Sequence, residues 1–184
     1  MSEGLSQALI DIVTSRSAPD QETITRFLTR VDEGKLTRDE NPHTHFCVYF
    51  AAYDPQAQEI FIGHHKKSGL WLFNGGHIDQ GETPQAALAR EMIEEWGVSV
   101  VIPPGQPAFF TLTRILDPTL VCKYHYDLWH LLPVNKELFA PDAVALGQEF
   151  YQIGWKTFAE ARKLVTDPNT LFAIHQIEAL IQVV

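Results

Sequence analysis

Three glutamates, Glu91, Glu94 and Glu95, stand at i, i+3 and i+4 in the stretch GHIDQGETPQAALAREMIEEWGV, residues 76–98. On a helix these positions share one face, because each residue advances about 100° around the axis. Like charges so placed destabilise a helix by about as much as opposite charges stabilise it. A bound divalent cation offsets that repulsion. Glutamate oxygens are hard donors, so the ion expected is Mg2+ or Mn2+ and not zinc or copper.

The flanking residues specify the helix that must present them. Thr83-Pro84 suits a helix start, since threonine caps and proline fits a first turn. Gly97 suits the stop. On a helical wheel Ala86, Ala89, Met92, Ile93 and Trp96 fall on one broad side, with Leu88 at its boundary. That side is expected to pack on a sheet, and the opposite side, with Glu91, Glu94 and Glu95, to hold metal. Arg90 sits at the edge of the acidic face, where pairing with a carboxylate, Glu82 among them, would hold the glutamates in position. Ahead of the helix, Phe73-Asn74-Gly75-Gly76 reads as a tight loop, whose glycines let backbone carbonyls approach an ion.

Gly76, Glu82, Arg90-Glu91, apolar Met92, Glu94-Glu95, Gly97 and apolar Val98 are spaced so that the segment resembles the Nudix box at every defining position. A chance match over nine constrained positions is on the order of one in 10^9 starts, which sets aside a merely solvated acidic face. The resemblance implies an α/β/α sandwich with a mixed β-sheet over roughly residues 43–165. It further implies Mg2+- or Mn2+-dependent hydrolysis of the pyrophosphate bond in a nucleoside diphosphate linked to another moiety. Glu91, Glu94 and Glu95 become the expected ligands, with Glu91 as ligand or base and a carbonyl of Gly75 or Gly76 in the metal shell. Family members often carry a further glutamate in a late loop, and Glu149 occupies that place by position only. Proline is common in the family where Asn74 stands here; asparagine also tolerates turn geometry.

Composition narrows the partners. The chain has 184 residues, 45% hydrophobic, and a formal charge of −9 from 14 basic and 23 acidic residues. Polyanion binders present basic surfaces, so extensive nucleic-acid contact is not expected and a small nucleotide or other pyrophosphate is. No apolar run reaches the about 18 residues of a membrane span, and no secretory signal pattern opens the chain. Cys47 and Cys122 read as reduced, buried and structural, with no zinc-type spacing, and a cytoplasmic location is expected.

Two apolar stripes, Leu5-Leu9-Ile12-Val13 and Ile24-Phe27-Leu28-Val31, predict an N-terminal helical hairpin within residues 1–40, its second helix starting at Ser17–Asp20. The pattern is open between packing on the main body and packing on a partner chain, which would allow a homodimer. Residues 41–184 form the expected catalytic domain. Strands are expected at 43–53, 59–64, 98–102, 109–116, 120–132 and 148–153, with a loop at 103–107 and helices at 157–165 and 171–181.

Further side chains could meet substrate. His64-His65-Lys66-Lys67 offers Lys66 and Lys67 as a cationic rim for phosphate, or else a solvated edge that discourages strand pairing. Lys123, His125, Asp127 and Trp129 alternate along one strand face, so His125 and Asp127 could line a cleft or an exposed sheet face. The proline and tyrosine that mark ADP-ribose and dinucleoside-polyphosphate subclasses are replaced by Arg114, Ile115 and Leu116, which leaves the substrate open. An alternative reading is a regulatory domain that binds nucleotide without cleaving it. The intact glutamates argue against it.

Overall fold

The computed structural model describes residues 2–14, 21–97 and 107–182. The expected helix start at 17–20, strand at 98–102 and most of the loop at 103–107 lie outside the described residues. The elements are α1 (Ser2–Thr14), α2 (Gln21–Asp32), β1 (Thr44–Asp54), β2 (Glu59–His65), β3 (Trp71–Leu72), β4 (Asn74–His77), α3 (Pro84–Trp96), β5 (Phe109–Arg114), β6 (Tyr124–Pro133), α4 (Ala143–Glu149), β7 (Phe150–Thr157), α5 (Phe158–Leu164) and α6 (Pro168–Gln182). The seven strands form a mixed sheet in the order β3-β2-β1-β6-β5, with β4 also on β1 and β7 also on β2. This is the expected α/β class, with the N-terminal helices in place. None of the described helices is long and apolar enough to cross a membrane.

The chain divides into two compact units. The first gathers Met1–Tyr49, Gly75–Leu88 and Pro104–His130. Its core joins the N-terminal helices to strands of the same unit. Leu5, Leu9, Ile12, Val13, Ile24, Phe27 and Val31 are all buried. The Phe27 ring lies 5.7, 5.3 and 5.1 Å from the rings of Phe46, Phe110 and Tyr126. The hairpin's second apolar stripe is thus covered by its own chain. Arg30, buried at the end of α2, donates to the carbonyls of Gly34, Lys35 and Thr44 at 2.8, 2.7 and 2.7 Å, stitching the helix to the start of β1. Burial lowers its pKa, with Glu33 opposing that shift. Strands β5 and β6 pair antiparallel, setting Thr111 opposite Asp127 and Thr113 opposite His125.

The second unit comprises Phe50–Asn74, Ala89–Pro103 and Leu131–Val184. Here β2 pairs antiparallel with β7 along its length, from Glu59↔Thr157 to His65↔Phe150. Gly63 is required where the strands cross: an added Cβ would come within 2.4 Å of the Phe150 ring. The core is aromatic. Trp96 meets Phe50 and Phe139 edge-on at 4.7 and 4.9 Å, and Phe139 meets Trp155 at 5.7 Å. Asp54 closes the β1–β2 turn by accepting from the backbone N–H groups of Gln56, Ala57 and Lys136 at 2.8, 2.9 and 2.8 Å.

Five sequence expectations need correction. Asn74–His77 is strand β4, not a loop, because pairing with β1 overrides the poor strand propensity of glycine. The strands expected at 120–132 and 148–153 begin only at Tyr124 and Phe150. Asp142 caps a helix ahead of Phe150, accepting from Val144 and Ala145 N–H. Cys122 is half-buried, whereas Cys47 is buried as expected. On α3 the buried side is Ala87, Leu88, Met92 and Trp96 with Glu95, while Ile93 is 53% exposed. The apolar stripe is therefore rotated toward the acids.

Candidate active site

Local geometry fixes the carboxylate helix at both ends. Thr83 Oγ1 accepts from Ala86 N–H at 3.2 Å, and the Thr83 carbonyl accepts from Ala87 N–H at 3.0 Å. At the other end Gly97 adopts φ +66°, and a Cβ there would lie 2.6 Å from that of Asp142. Asp142 N–H in turn donates to the Trp96 carbonyl at 2.7 Å. With the Trp96 ring wholly buried, the last turn of α3 cannot rotate freely, and neither can the glutamates on it.

The three acids sit in different surroundings. Glu95 is 7% exposed, and its Oε2 accepts from Asn74 Nδ2 at 2.6 Å. The Glu91 side chain is 12% exposed and accepts from Arg90 Nη1 at 2.7 Å. Glu94 is 57% exposed on its side chain and receives the same Arg90 nitrogen at 3.2 Å. Arg90 Nη1 thus bridges two of the acids, Glu91 and Glu94. Glu82 accepts from Asp79 N–H at 3.0 Å, closing the turn before the helix.

A second polar group lies in the same unit. Glu149 Oε2 is 3.0 Å from Lys67 Nζ and 3.6 Å from His65 Nε2. Burial pushes the Glu149 pKa up, but the Lys67 hydrogen bond and charge, with His65, outweigh it and leave it lowered. His65 is itself lowered by burial, so near neutral pH Lys67 is the cation that Glu149 faces. Lys66 Nζ donates to the Gly147 carbonyl, and Lys66 N–H donates to the Glu149 carbonyl at 2.8 Å. Lys66, Lys67 and Glu149 are therefore brought together.

The remaining candidates belong to the first unit. Gly75 approaches β1 so closely that a Cβ would lie 2.5 Å from the Val48 carbonyl oxygen, and Gly76 follows it in β4. Asp127 is fully buried, accepting from the hydroxyls of Thr111 (3.0 Å) and Thr113. Such an acid braces β5 against β6. His125 is half-buried, with its pKa lowered to about 4 by burial and by His45.

Sequence reasoning reads Asn74 only as a turn residue. It is 1% exposed, grips Glu95 through its amide nitrogen, and leaves its Oδ1 buried without a hydrogen-bond partner. An orphaned oxygen beside a carboxylate-rich helix is chemistry that a hard divalent cation accommodates. The donor set of Glu91, Glu94 and Glu95 fits Mg2+ or Mn2+ on the same grounds.

A helix that carries three carboxylates, in a chain of mixed α/β structure, is an arrangement suited to holding a hard cation. A family model described as NUDIX domain matches residues 42–173, and the chain belongs to that family. It resembles the RNA pyrophosphohydrolase of Helicobacter pylori (strain P12), 46% identical over 48 residues, covering 26% of this chain and 31% of that protein. The RNA pyrophosphohydrolase of Sulfurovum sp. (strain NBC37-1) is 39% identical over 56 residues, covering 30% of this chain and 36% of that protein. The chain thus spans about a third of the length of these curated relatives. Among solved structures, the E. coli dihydroneopterin triphosphate pyrophosphohydrolase superposes with a TM-score of 0.57 at 17% identity, over 71% of this chain and 92% of that one. A MutT NUDIX hydrolase from Burkholderia pseudomallei superposes with a TM-score of 0.59 at 16% identity, over 73% and 98%. These likenesses establish the fold.

Proposed function

We propose that the chain is a pyrophosphohydrolase that cleaves the phosphoanhydride of a nucleoside diphosphate linked to another moiety. The observation that carries this reading is the graded carboxylate trio on α3, with Glu95 buried against Asn74 and with Arg90 tying Glu91 to Glu94. Glu91, Glu94 and Glu95 would hold Mg2+ or Mn2+, to which family resemblance adds a carbonyl of Gly75 or Gly76. Such an ion, when bound, neutralises phosphate oxygens and acidifies water. The protein's own part is to place the acids, exclude water from Glu95, and accept the proton of the attacking water on a carboxylate. Glu91 or Glu149 takes that proton.

Lys66 and Lys67 supply cations for the phosphates, Lys67 exchanging its bond to Glu149 for one to substrate. Asp127 and His125 are assigned structural roles, since the Asp127 carboxylate and both ring nitrogens of His125 are buried. The formal charge of −9 favours a small nucleotide over a long polyanion. The relatives' name nevertheless makes a 5′-triphosphorylated RNA end worth including. A cytoplasmic location suits a nucleotide substrate, and a homodimer is compatible with this reading.

The test is a panel of nucleoside triphosphates, nucleotide sugars, dinucleoside polyphosphates and 5′-triphosphorylated RNA with Mg2+ or Mn2+, scored for phosphate or pyrophosphate release. Turnover of at least one compound, abolished by Glu95→Gln in a folded protein, is expected. Tight nucleotide binding with no release across the panel would instead favour the regulatory alternative.

A further inference from the structure

We propose that His45, His77, Cys122 and His125 form a binding site for a zinc-class transition ion, with a donor set unlike that of the carboxylate helix. Their ligand atoms all lie within 4.8 Å of one another, and His45 Nε2 is 3.9 Å from Cys122 Sγ. A tetrahedral ion with bonds of about 2.0–2.3 Å needs donors roughly 3.3–3.8 Å apart, a contraction within reach of small side-chain rotations. The three rings are already gathered, with centroids 4.8, 4.9 and 5.2 Å apart.

Two features distinguish this cluster from ordinary aromatic packing. His45 Nδ1 lies 3.0 Å from the Asn41 carbonyl oxygen, so this nitrogen carries the proton and donates it. That leaves the Nε2 lone pair on the side of Cys122, the orientation by which backbone carbonyls fix metal-binding histidines. Both ring nitrogens of His125 are buried with no hydrogen-bond partner. A buried imidazole with neither nitrogen satisfied is unfavourable, and coordination of one of them repairs it.

The donor set is three imidazoles and one thiol, with no carboxylate. Three nitrogens and one sulfur select zinc-class ions, whereas the acids of α3 select hard ones. Four protein ligands close the coordination sphere, which makes the site structural. Binding releases one proton, from the Cys122 thiol to solvent, as its thiolate joins the ion. The ligands come from β1, the end of β4, the segment before β6, and β6 itself. No compact motif announces them, because they meet only in the folded unit.

The test uses the full chain, stripped by chelator and titrated with Co2+ followed by Zn2+. One tetrahedral Co2+ per chain is expected, with a thiolate-to-cobalt charge-transfer band and intense visible bands, all displaced by Zn2+. Cys122→Ser should abolish the charge-transfer band. His125→Ala should weaken Zn2+ binding by more than the about 10- to 100-fold that loss of an outer-shell partner costs. Glu95→Gln should leave both readouts unchanged. The wild-type spectrum needs no variant, and circular dichroism checks that each variant folds. Absence of the band in the wild type, its survival in Cys122→Ser, or its loss in Cys47→Ser alone would overturn the assignment. The last result would move the ion to Cys47, His125 and Asp127, which also converge.

Discussion

Replacing Asn74 by alanine isolates the contact that sets Glu95 apart from the other acids. The substitution removes a 2.6 Å hydrogen bond to a buried carboxylate, and it also removes an Oδ1 that has no partner. A hydrogen bond to a charged group contributes about 1.5–3 kcal/mol, while an unsatisfied buried polar atom costs about 1–3 kcal/mol. For global stability these nearly cancel, so the urea midpoint should move little. For positioning they do not cancel, because of the two Asn74 amide atoms it is the nitrogen that holds Glu95. At about 1.4 kcal/mol per tenfold, the lost restraint corresponds to roughly a 10- to 150-fold weaker apparent Mg2+ affinity. The assay is turnover against Mg2+ concentration at saturating substrate, run beside a urea melt. Asn74→Asp should be worse than Asn74→Ala, since a second carboxylate would then face Glu95. An unchanged Mg2+ dependence in a folded Asn74→Ala protein would refute the reasoning.

Three further outcomes follow from the same geometry. Gly75→Ala should destabilise the protein by about 1–3 kcal/mol in denaturant melts, because its Cβ would sit 2.5 Å from the Val48 carbonyl and 2.8 Å from the Tyr49 ring. Lys67→Ala should raise KM severalfold in steady-state kinetics yet change stability by less than about 1 kcal/mol, since its pairing with Glu149 leaves the lysine side chain 77% exposed. Asp54 has its pKa lowered by the backbone N–H groups of Lys136, Ala57 and Gln56, burial opposing. A lowered carboxylate contributes stability that is full above its unfolded value of about 3.9 and is lost as pH falls through the folded value. Asp54→Ala should therefore cost about 1.5–3 kcal/mol at neutral pH, and the deficit should shrink in melts taken as pH falls below about 4.

What can be read from the chain, and what cannot, divides along the distance between interacting residues. The box helix is legible to within a residue because cap, stop and acids lie within one short segment: Pro84–Trp96 is bounded by Thr83 and Gly97 as expected. Its buried side is not. Ala86, Ala87 and Ala89 weigh almost equally on a wheel, so the apolar direction is poorly defined and the wheel puts Glu95 on the wrong side of it. Asn74 and the histidine cluster act through partners far along the chain, and no local spacing encodes those meetings. Strand β4 reads as a loop because Asn-Gly-Gly has little strand propensity and extends only through its neighbour β1. Helix α4 does carry a local signal: Asp142 directly before Ala143-Val144-Ala145-Leu146 is a capping residue ahead of good helix formers.

A divalent ion held by the acids of α3 is the central claim. Anomalous diffraction from crystals soaked in Mn2+ tests this most directly. A peak within bonding distance of Glu95 and at least one of Glu91 and Glu94, absent in Glu95→Gln crystals, is the expected result. Crystals with well-ordered glutamates and no anomalous peak beside them would contradict it.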